Sequence, residues 1–260
     1  MMFEIGESSL STAAQPPIGV LTAGHRDNWY NAYTHLNEIS ETNQENFKAI
    51  EDGLFMLCLD DYSAPKNLDM SHLQMFHNHD AHNRWFDKCV QLIVSSNGRA
   101  GVNGEHSPVD AVVPGRMFEF VLSQEPASDP ENSINGKKLK SPERLIWKVD
   151  EQVTKHIQEA SSTALALIKD TESCLLQTDL YGSRYIKEVA KVSPDAYIQI
   201  ALQLAYQRVH RAITPVYESS STRLFKHGRT ETGRSMSMES MKFVKAFDND
   251  DILVDVANPV

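Results

Sequence analysis

His106 and Asp110 are the first candidates for catalysis in this sequence of 260 residues. A glycine-rich segment, residues 97–104, precedes the histidine, and Ser107-Pro108-Val109-Asp110 follows it. That pattern predicts a helix start with a serine cap, a proline in the first turn and an acid at the third helical position. A helix N-terminus favours the neutral imidazole that a general base requires, and Asp110 could orient the ring. A capped helix beside a surface histidine explains the same residues equally well.

A second candidate region runs from Tyr217 to Ser235 with the sequence YESSSTRLFKHGRTETGRS. It combines many hydroxyl side chains with arginine and lysine, which together suit a small anionic ligand group. A solvated loop rich in helix caps is the alternative interpretation.

A third candidate region is YGSRYIKEVAKVSPDA, Tyr181 to Ala196, in which Arg184, Lys187 and Lys191 precede a predicted helix N-terminus. Basic side chains and a helix N-terminus can bind a phosphate together, although a basic helix face would look the same.

The histidine-rich stretch HNHDAHN contains His77, His79 and His82. Their spacing differs from that of a helical zinc motif, and no partner ligand is evident in the sequence. We therefore expect no metal site.

Composition restricts the possible partners and compartments. The net charge of −10 argues against nucleic-acid binding. Three cysteines, Cys58, Cys89 and Cys174, occur without a C-x-x-C motif, which favours a reducing, intracellular compartment. No apolar run is long enough to span a bilayer, and the first residues lack the features of a signal peptide.

Periodicity in the first half predicts strands and helices in mixture. Apolar runs at residues 18–22 and 54–59 predict strands, and Arg26 to Gly53 is predicted to be helical with Thr42 as a cap. Asn97-Gly98 predicts a type I′ turn in a β-hairpin, followed by a helix from Pro108 to about Leu122.

In the second half, residues 123–142 are rich in Ser, Pro, Asn and charge, and predict a surface connection or domain boundary. Residues 145–170 show helical apolar spacing, at Val153, Ile157, Ala160, Ala164 and Ile168. Residues 193–212 predict a buried core helix capped by Ser193, with Pro194 in its first turn. The predicted fold class is α/β or α+β.

Taken in order, the segments IGVLTAGHRDNW, NRWFDKCVQLIV, GVNGEHSPVD, YGSRYIKEVAKVSPDAYIQIALQLAY and YESSSTRLFKHGRTETGRS resemble the choline/carnitine O-acyltransferase family. The resemblance implies a CoA-dependent acyltransferase fold, in which two α/β domains meet at a tunnel with the catalytic histidine at its centre. It implies that residues 1–148 belong to the histidine-bearing domain and that 149–260 begin the second domain. It covers well under half of a typical member, so we expect a chain incomplete at both ends.

The resemblance also assigns roles to single residues. It implies that His106 is the catalytic base and that Asp110 hydrogen-bonds it. Lys187, Lys191 and Asp195 fall in the segment that binds CoA, with the exact phosphate-binding lysines open. Tyr217 and Thr230 match positions that contact the carboxylate region of carnitine, and Thr232 completes the hydroxyl-bearing GRTET sequence that favours carnitine over choline.

The implied activity is transfer of a short acyl group, acetyl, between CoA and the carnitine hydroxyl, as part of fatty acid metabolism. CoA and acyl-CoA are then co-substrates, and no permanently bound cofactor is expected. We expect a monomer, and mitochondrion, peroxisome and cytosol all stay open. The family's carboxylate-binding arginine and oxyanion-binding Ser/Thr motif are expected beyond Val260. A truncated non-catalytic relative, or choline as the acceptor, is therefore the alternative.

Overall fold

The computed structural model describes residues 2–63, 66–125 and 141–248. They form two compact units, which divide between Leu175 and Leu176. Helices and strands are mixed, as the sequence predicts. The first unit contains α1 (Met2–Ser11), a 3₁₀ helix (Ile18–Ala23), α2 (Arg26–Ile39), α3 (Glu41–Asp52), β1 (Met56–Asp60), α4 (Leu68–His77), β2 (Val90–Ser95), β3 (Ala100–Gly104), α5 (Val112–Leu122) and α6 (Glu151–Lys169).

A three-stranded sheet carries the candidate base. β2 is central, pairing in parallel with β1 and in antiparallel with β3. The β1–β2 connection contains α4, and the β2–β3 connection is a tight hairpin. The predicted strand at residues 54–59 and the predicted hairpin are therefore confirmed, and residue 105 leaves the sheet directly after β3.

The hairpin turn differs from the predicted type I′. Ser95 and Arg99 close a three-residue loop, because the Ser95 N–H donates to the Arg99 carbonyl at 2.8 Å. The Gly98 N–H donates to the Ser95 carbonyl at 2.9 Å. Of Asn97 and Gly98, only the glycine has a positive φ, 80°. A type I′ turn needs a positive φ at both central residues, whereas a type I turn followed by a left-handed glycine needs only one.

Residues 18–22 form the 3₁₀ helix and not the predicted strand. Ile18, Val20 and Leu21 are buried, so the apolar run correctly indicated burial. A short apolar run does not distinguish a buried strand from a buried helical turn. The Thr22 hydroxyl donates to the Gly19 carbonyl at 2.6 Å within the turn and accepts the Phe86 N–H at 2.8 Å.

The predicted helical segment from Arg26 to Gly53 is two helices, α2 and α3, separated at Ser40. Ser40 has extended backbone angles and is the N-cap residue of α3, so the cap predicted at Thr42 is wrong. The Asn43 side chain donates to the Leu36 carbonyl at 2.9 Å and to the Lys148 carbonyl at 2.8 Å. It thereby holds the corner between the two helices.

Helix α6 covers the core of the first unit. All five residues of its predicted apolar face are buried or packed against that core, which confirms the helical spacing. The core cluster comprises Ile18, Val20, Leu21, Trp29, Ala32, Leu36, Phe47, Ala81, Trp85, Val153, Ala160 and Ala164. The compact units therefore divide after α6, whereas the family-based boundary after residue 148 stays a prediction. Residues 126–140 of the predicted 123–142 connection lie outside the described residues.

The second unit contains α7 (Ser183–Glu188), α8 (Pro194–His210), β4 (Glu218–Ser221), β5 (Thr230–Gly233) and α9 (Met238–Ala246). Ser193 caps α8 through the Ala196 N–H at 3.4 Å, with Pro194 in the first turn, as predicted. The prediction of a buried core helix is wrong, since Ile198 and Leu202 are 54% and 57% exposed. Helices α7 and α9 pack on parts of α8 and leave these side chains outside.

None of the helices in the described ranges is long and apolar enough to cross a membrane.

Candidate active site

His106 lies at the surface of the first unit, directly after the β2–β3 hairpin. β3 ends at Gly104, and the Glu105 N–H donates to the Cys89 carbonyl at 3.3 Å, one step beyond the ladder. His106 comes next, and its side chain is 74% exposed. The hairpin thus holds the backbone up to the histidine while the imidazole faces outward.

The helix after His106 begins at Val112 and not at the predicted Pro108. Pro114 explains the difference, because it would lie inside a helix that started at Pro108. There it would leave a carbonyl without a donor and clash with the preceding turn, whereas the first turn of a helix tolerates proline. The predicted capping box at Ser107 is therefore wrong, and Ala111 occupies the cap position without a side-chain hydrogen bond.

Asp110 nevertheless stays close to the histidine. His106 Nδ1 lies 3.8 Å from Asp110 Oδ1, an ion-pair distance and longer than a hydrogen bond. The aspartate side chain is only 15% exposed, and its backbone carbonyl accepts the Val113 N–H at 3.0 Å. The structure therefore brings the two predicted residues together.

A second ion pair lies near this turn and was not predicted from the residues. Arg26 donates to both carboxylate oxygens of Asp87, at 2.8 and 2.9 Å, and the Trp29 indole N–H donates to the same carboxylate at 2.7 Å. Hydrogen bonding to Asp87 raises the pKa of Arg26, and the charge of Glu105 acts in the same direction. The residues of this ion pair lie in the stretches RDNW and WFDK. Both stretches belong to segments that resemble the family, but the resemblance assigns these residues no role.

The candidate CoA-binding residues lie close in sequence on adjoining elements of the second unit; they are Lys187, Lys191 and Asp195. Lys187 is in the last turn of α7, Lys191 is in the loop between α7 and α8, and Asp195 is in the first turn of α8. All three are exposed. Lys191 has a φ of 56°, in the left-handed region that non-glycine residues seldom adopt. Basic residues do precede a helix N-terminus, as the sequence predicts.

Tyr217, Thr230 and Thr232 are brought to one place by the β4–β5 ladder. Ser219 pairs with Thr232, and Ser221 pairs with Thr230. Residues opposite each other on antiparallel strands point to the same face, and alternate residues along a strand share it. We call this the hydroxyl face; its members are Tyr217, Ser219, Ser221, Thr230 and Thr232.

The hydroxyl face includes two serines that the sequence reasoning did not single out, Ser219 and Ser221. The Tyr217 and Ser219 hydroxyls lie 3.0 Å apart. The opposite face of the ladder carries Ser220 and Glu231, which pair with each other. Alternation within YESSS is the signal that separates the serines of the two faces.

The three histidines of the HNHDAHN stretch have separate surroundings. His77 is buried and its Nδ1 lies against the Asn78 carbonyl, the His79 ring packs against Tyr62, and His82 Nε2 lies 3.2 Å from the Ser161 hydroxyl. Within the described ranges, no three His, Cys, Asp or Glu side chains are grouped so that they could hold a metal ion.

A sequence model described as Choline/Carnitine o-acyltransferase matches residues 2–257. The chain belongs to the choline/carnitine O-acyltransferase family. It is 36% identical over 241 residues to choline O-acetyltransferase from Homo sapiens, which covers 89% of this chain and 32% of that protein. It is 33% identical over 261 residues to carnitine O-acetyltransferase from Columba livia, covering 95% of this chain and 40% of the relative. Homo sapiens carnitine O-acetyltransferase is 34% identical over 258 residues, covering 96% and 40%.

The family match confirms the resemblance, and it spans both compact units. The chain spans about a third to two fifths of the length of these curated relatives. Relatives named for choline and for carnitine are similarly close, so identity alone does not separate the two acceptors within the choline/carnitine O-acyltransferase family.

Proposed function

We propose that the chain transfers an acetyl or similarly short acyl group between CoA and the hydroxyl of carnitine, with His106 as general base. The observation that carries the proposal is the exposed His106 at the end of a hairpin, 3.8 Å from the carboxylate of Asp110, in a chain of this family.

In this reaction His106 removes the proton from the acceptor hydroxyl as the oxygen attacks the thioester carbonyl. The resulting imidazolium is stabilised by Asp110, because an opposite charge a few ångströms away favours the charged ring. The tetrahedral intermediate then collapses, the carbon–sulfur bond breaks, and the imidazolium returns its proton to the CoA sulfur. One histidine serves both steps, and no acyl-enzyme is required.

Carnitine is the proposed acceptor because it carries a carboxylate that choline lacks. Thr230 and Thr232 lie on the hydroxyl face with Tyr217 and two serines. Neutral hydroxyl donors bind a carboxylate through charge-assisted hydrogen bonds, whereas a trimethylammonium group gains nothing from them. Choline is the second candidate, since choline O-acetyltransferases are among the relatives.

CoA is the proposed acyl carrier, with Lys187 and Lys191 meeting phosphate and Asp195 near the adenine end. The support is positional: both lysines precede the N-terminus of α8, a helix of 17 residues. Backbone N–H groups at a helix start and neighbouring ammonium groups favour a phosphate together.

Thiol release from acetyl-CoA, followed with carnitine and with choline, tests the proposal. We expect carnitine-dependent release that falls by about 10²–10⁴ in His106→Ala. His72→Ala, which removes an exposed histidine of the same unit, is the control and should keep full activity. Undiminished release in His106→Ala would refute the base assignment, and preference for choline would refute the acceptor. A folded chain that binds acetyl-CoA without turning over either acceptor would support the non-catalytic alternative.

A further inference from the structure

The Glu105 carboxylate turns back onto the two residues that follow it. Each of its oxygens lies 3.1 Å from the Ser107 N–H, and Oε2 also accepts the Ser107 hydroxyl. The N–H of Glu105 itself is bound to the Cys89 carbonyl beside the sheet. One residue therefore links the end of the hairpin to the backbone on the far side of His106.

The surroundings keep this carboxylate charged. Hydrogen bonds from Ser107 lower the pKa of Glu105, and the His106 N–H contributes in the same direction. The charge of Asp87, to which Arg26 is bonded, acts in the opposite direction on the pKa of Glu105 and is outweighed by the hydrogen bonds from Ser107. An ionised acceptor makes stronger hydrogen bonds to backbone N–H groups than a neutral one does.

His106 lies outside regular structure, in the segment between β3 and α5. The β3 ladder ends at Gly104, and α5 begins only at Val112. The imidazole is 74% exposed. We propose that Glu105 is the positioning residue of the proposed base, holding the backbone of residues 105–107 so that the imidazole keeps one orientation.

This inference rests on the proposed role of His106. It assigns Glu105 a positioning role without contact to the substrate. Its carboxylate accepts hydrogen bonds from the backbone and hydroxyl of Ser107, and we assign it no part in proton transfer. Loss of the link should reduce the fraction of molecules with a correctly placed base. Misplacement of a reacting group costs rate, while binding of acetyl-CoA at other residues is unaffected.

The first measurement needs no turnover: ¹⁵N order parameters of the amides of residues 105–107 in the full chain, compared among variants. We expect values near those of rigid backbone, about 0.85, in the unmodified chain and values below about 0.6 in Glu105→Ala. Glu105→Gln retains an acceptor oxygen and should fall between the two. Glu38→Ala, which removes an exposed glutamate on α2, is the matched control and should change nothing. Thermal melting checks that each variant is folded.

The second measurement is kcat and KM for thiol release from acetyl-CoA in the same variants. We expect kcat to fall about 10- to 100-fold in Glu105→Ala with KM for acetyl-CoA unchanged, and Glu105→Gln to recover part of it. Unchanged order parameters in Glu105→Ala would overturn the proposal whatever the activity. The proposal would also be overturned if the backbone became more mobile while kcat stayed unchanged. It would be overturned, too, if KM for acetyl-CoA rose as much as kcat fell. If the unmodified chain releases no thiol, the proposed function fails, and the order parameters alone decide the role of Glu105.

Discussion

The Asp60 carboxylate accepts two hydrogen bonds from the Arg84 guanidinium, each 2.9 Å long, and both side chains are completely buried. Arg84 also donates to the carbonyls of Gln74 and Met75, at 2.8 and 3.2 Å. Asp60 is the last residue of β1, and Arg84 precedes β2. The pair therefore joins the end of β1 to the end of α4.

Replacing Arg84 alone should destabilise the first unit strongly. Arg84→Met leaves the Asp60 charge buried without its partner, which typically costs about 3–5 kcal/mol. Urea unfolding followed by circular dichroism gives the free energy of unfolding. Arg116→Ala removes an exposed ion pair with Glu119 and is the control, with an expected cost of at most about 0.5 kcal/mol. A cost for Arg84→Met no larger than that of the control contradicts the prediction, and combining Arg84→Met with Asp60→Leu should recover much of the loss.

Two glycines near the candidate site should respond to alanine in opposite directions. Gly98 has a φ of 80° in the hairpin loop, and Gly115 lies in α5; a Cβ at either position meets nothing within 4 Å. Gly98→Ala therefore acts through backbone strain and should lower the free energy of unfolding by about 1 kcal/mol. Gly115→Ala should raise it by about 0.5–1 kcal/mol, because alanine favours the helix. Chemical denaturation of both variants measures the signs, and equal signs would show that one assignment is mistaken.

Local sequence signals predicted those elements whose pattern is complete within a few residues. The Ser193 cap followed by Pro194 and the apolar spacing of α6 are of this kind, and both are confirmed. The start of α5 was missed because Pro114, beyond the apparent capping box, decides it. The 3₁₀ helix was missed because its burial, and not its periodicity, produced the apolar run.

The candidate site was predictable by residue type but not by geometry. The resemblance singled out His106 and Asp110, but only the structure gives their 3.8 Å separation. The link from Glu105 to Ser107 has no sequence signature, because a glutamate before a histidine usually marks nothing. The register of β4 and β5 decides which serines accompany Thr232, and register depends on pairing between strands and not on local propensity.

Acid should weaken the cap of α6. The Asp150 carboxylate accepts the Val153 N–H at 2.8 Å and lies 2.7 Å from His35 Nε2. The Val153 hydrogen bond, followed by that of His35, lowers the pKa of Asp150. A lowered folded-state pKa stabilises the protein above the pKa of the unfolded chain, and this stabilisation disappears as the pH falls through the folded value.

Asp150→Ala should therefore lower the melting temperature at neutral pH, and its difference from the unmodified chain should shrink as the pH falls below the ordinary aspartate pKa of about 3.9. Thermal unfolding by circular dichroism across this range measures the effect. Asp170→Asn removes a carboxylate at the C-terminal end of the same helix, where the dipole disfavours it, so it should be neutral or stabilising. If the melting temperature of Asp150→Ala lay below that of the unmodified chain by the same amount at every pH, the charge of the Asp150 carboxylate would play no part in the stability of the helix cap.

Ser219 and Ser220 offer a test of the hydroxyl face, because they are adjacent exposed serines on opposite sides of one strand. If the face binds the carnitine carboxylate, Ser219→Ala removes a donor to a charged group, which is worth about 1.5–3 kcal/mol. We expect KM for carnitine to rise about tenfold or more, with KM for acetyl-CoA unchanged. Ser220→Ala, on the Glu231 side, should change neither value by more than about twofold. Steady-state thiol release at varied carnitine concentration measures both variants.

Choline provides a second control for the same pair of variants, since it lacks the carboxylate that the hydroxyl face is proposed to bind. Any turnover of choline should therefore be insensitive to Ser219→Ala. An equal rise in KM for both acceptors would mean that the substitution disturbs the β4–β5 ladder itself. Equal effects of Ser219→Ala and Ser220→Ala would mean that the face defined by the register does not bind the acceptor, because only one of these side chains shares a face with Thr232.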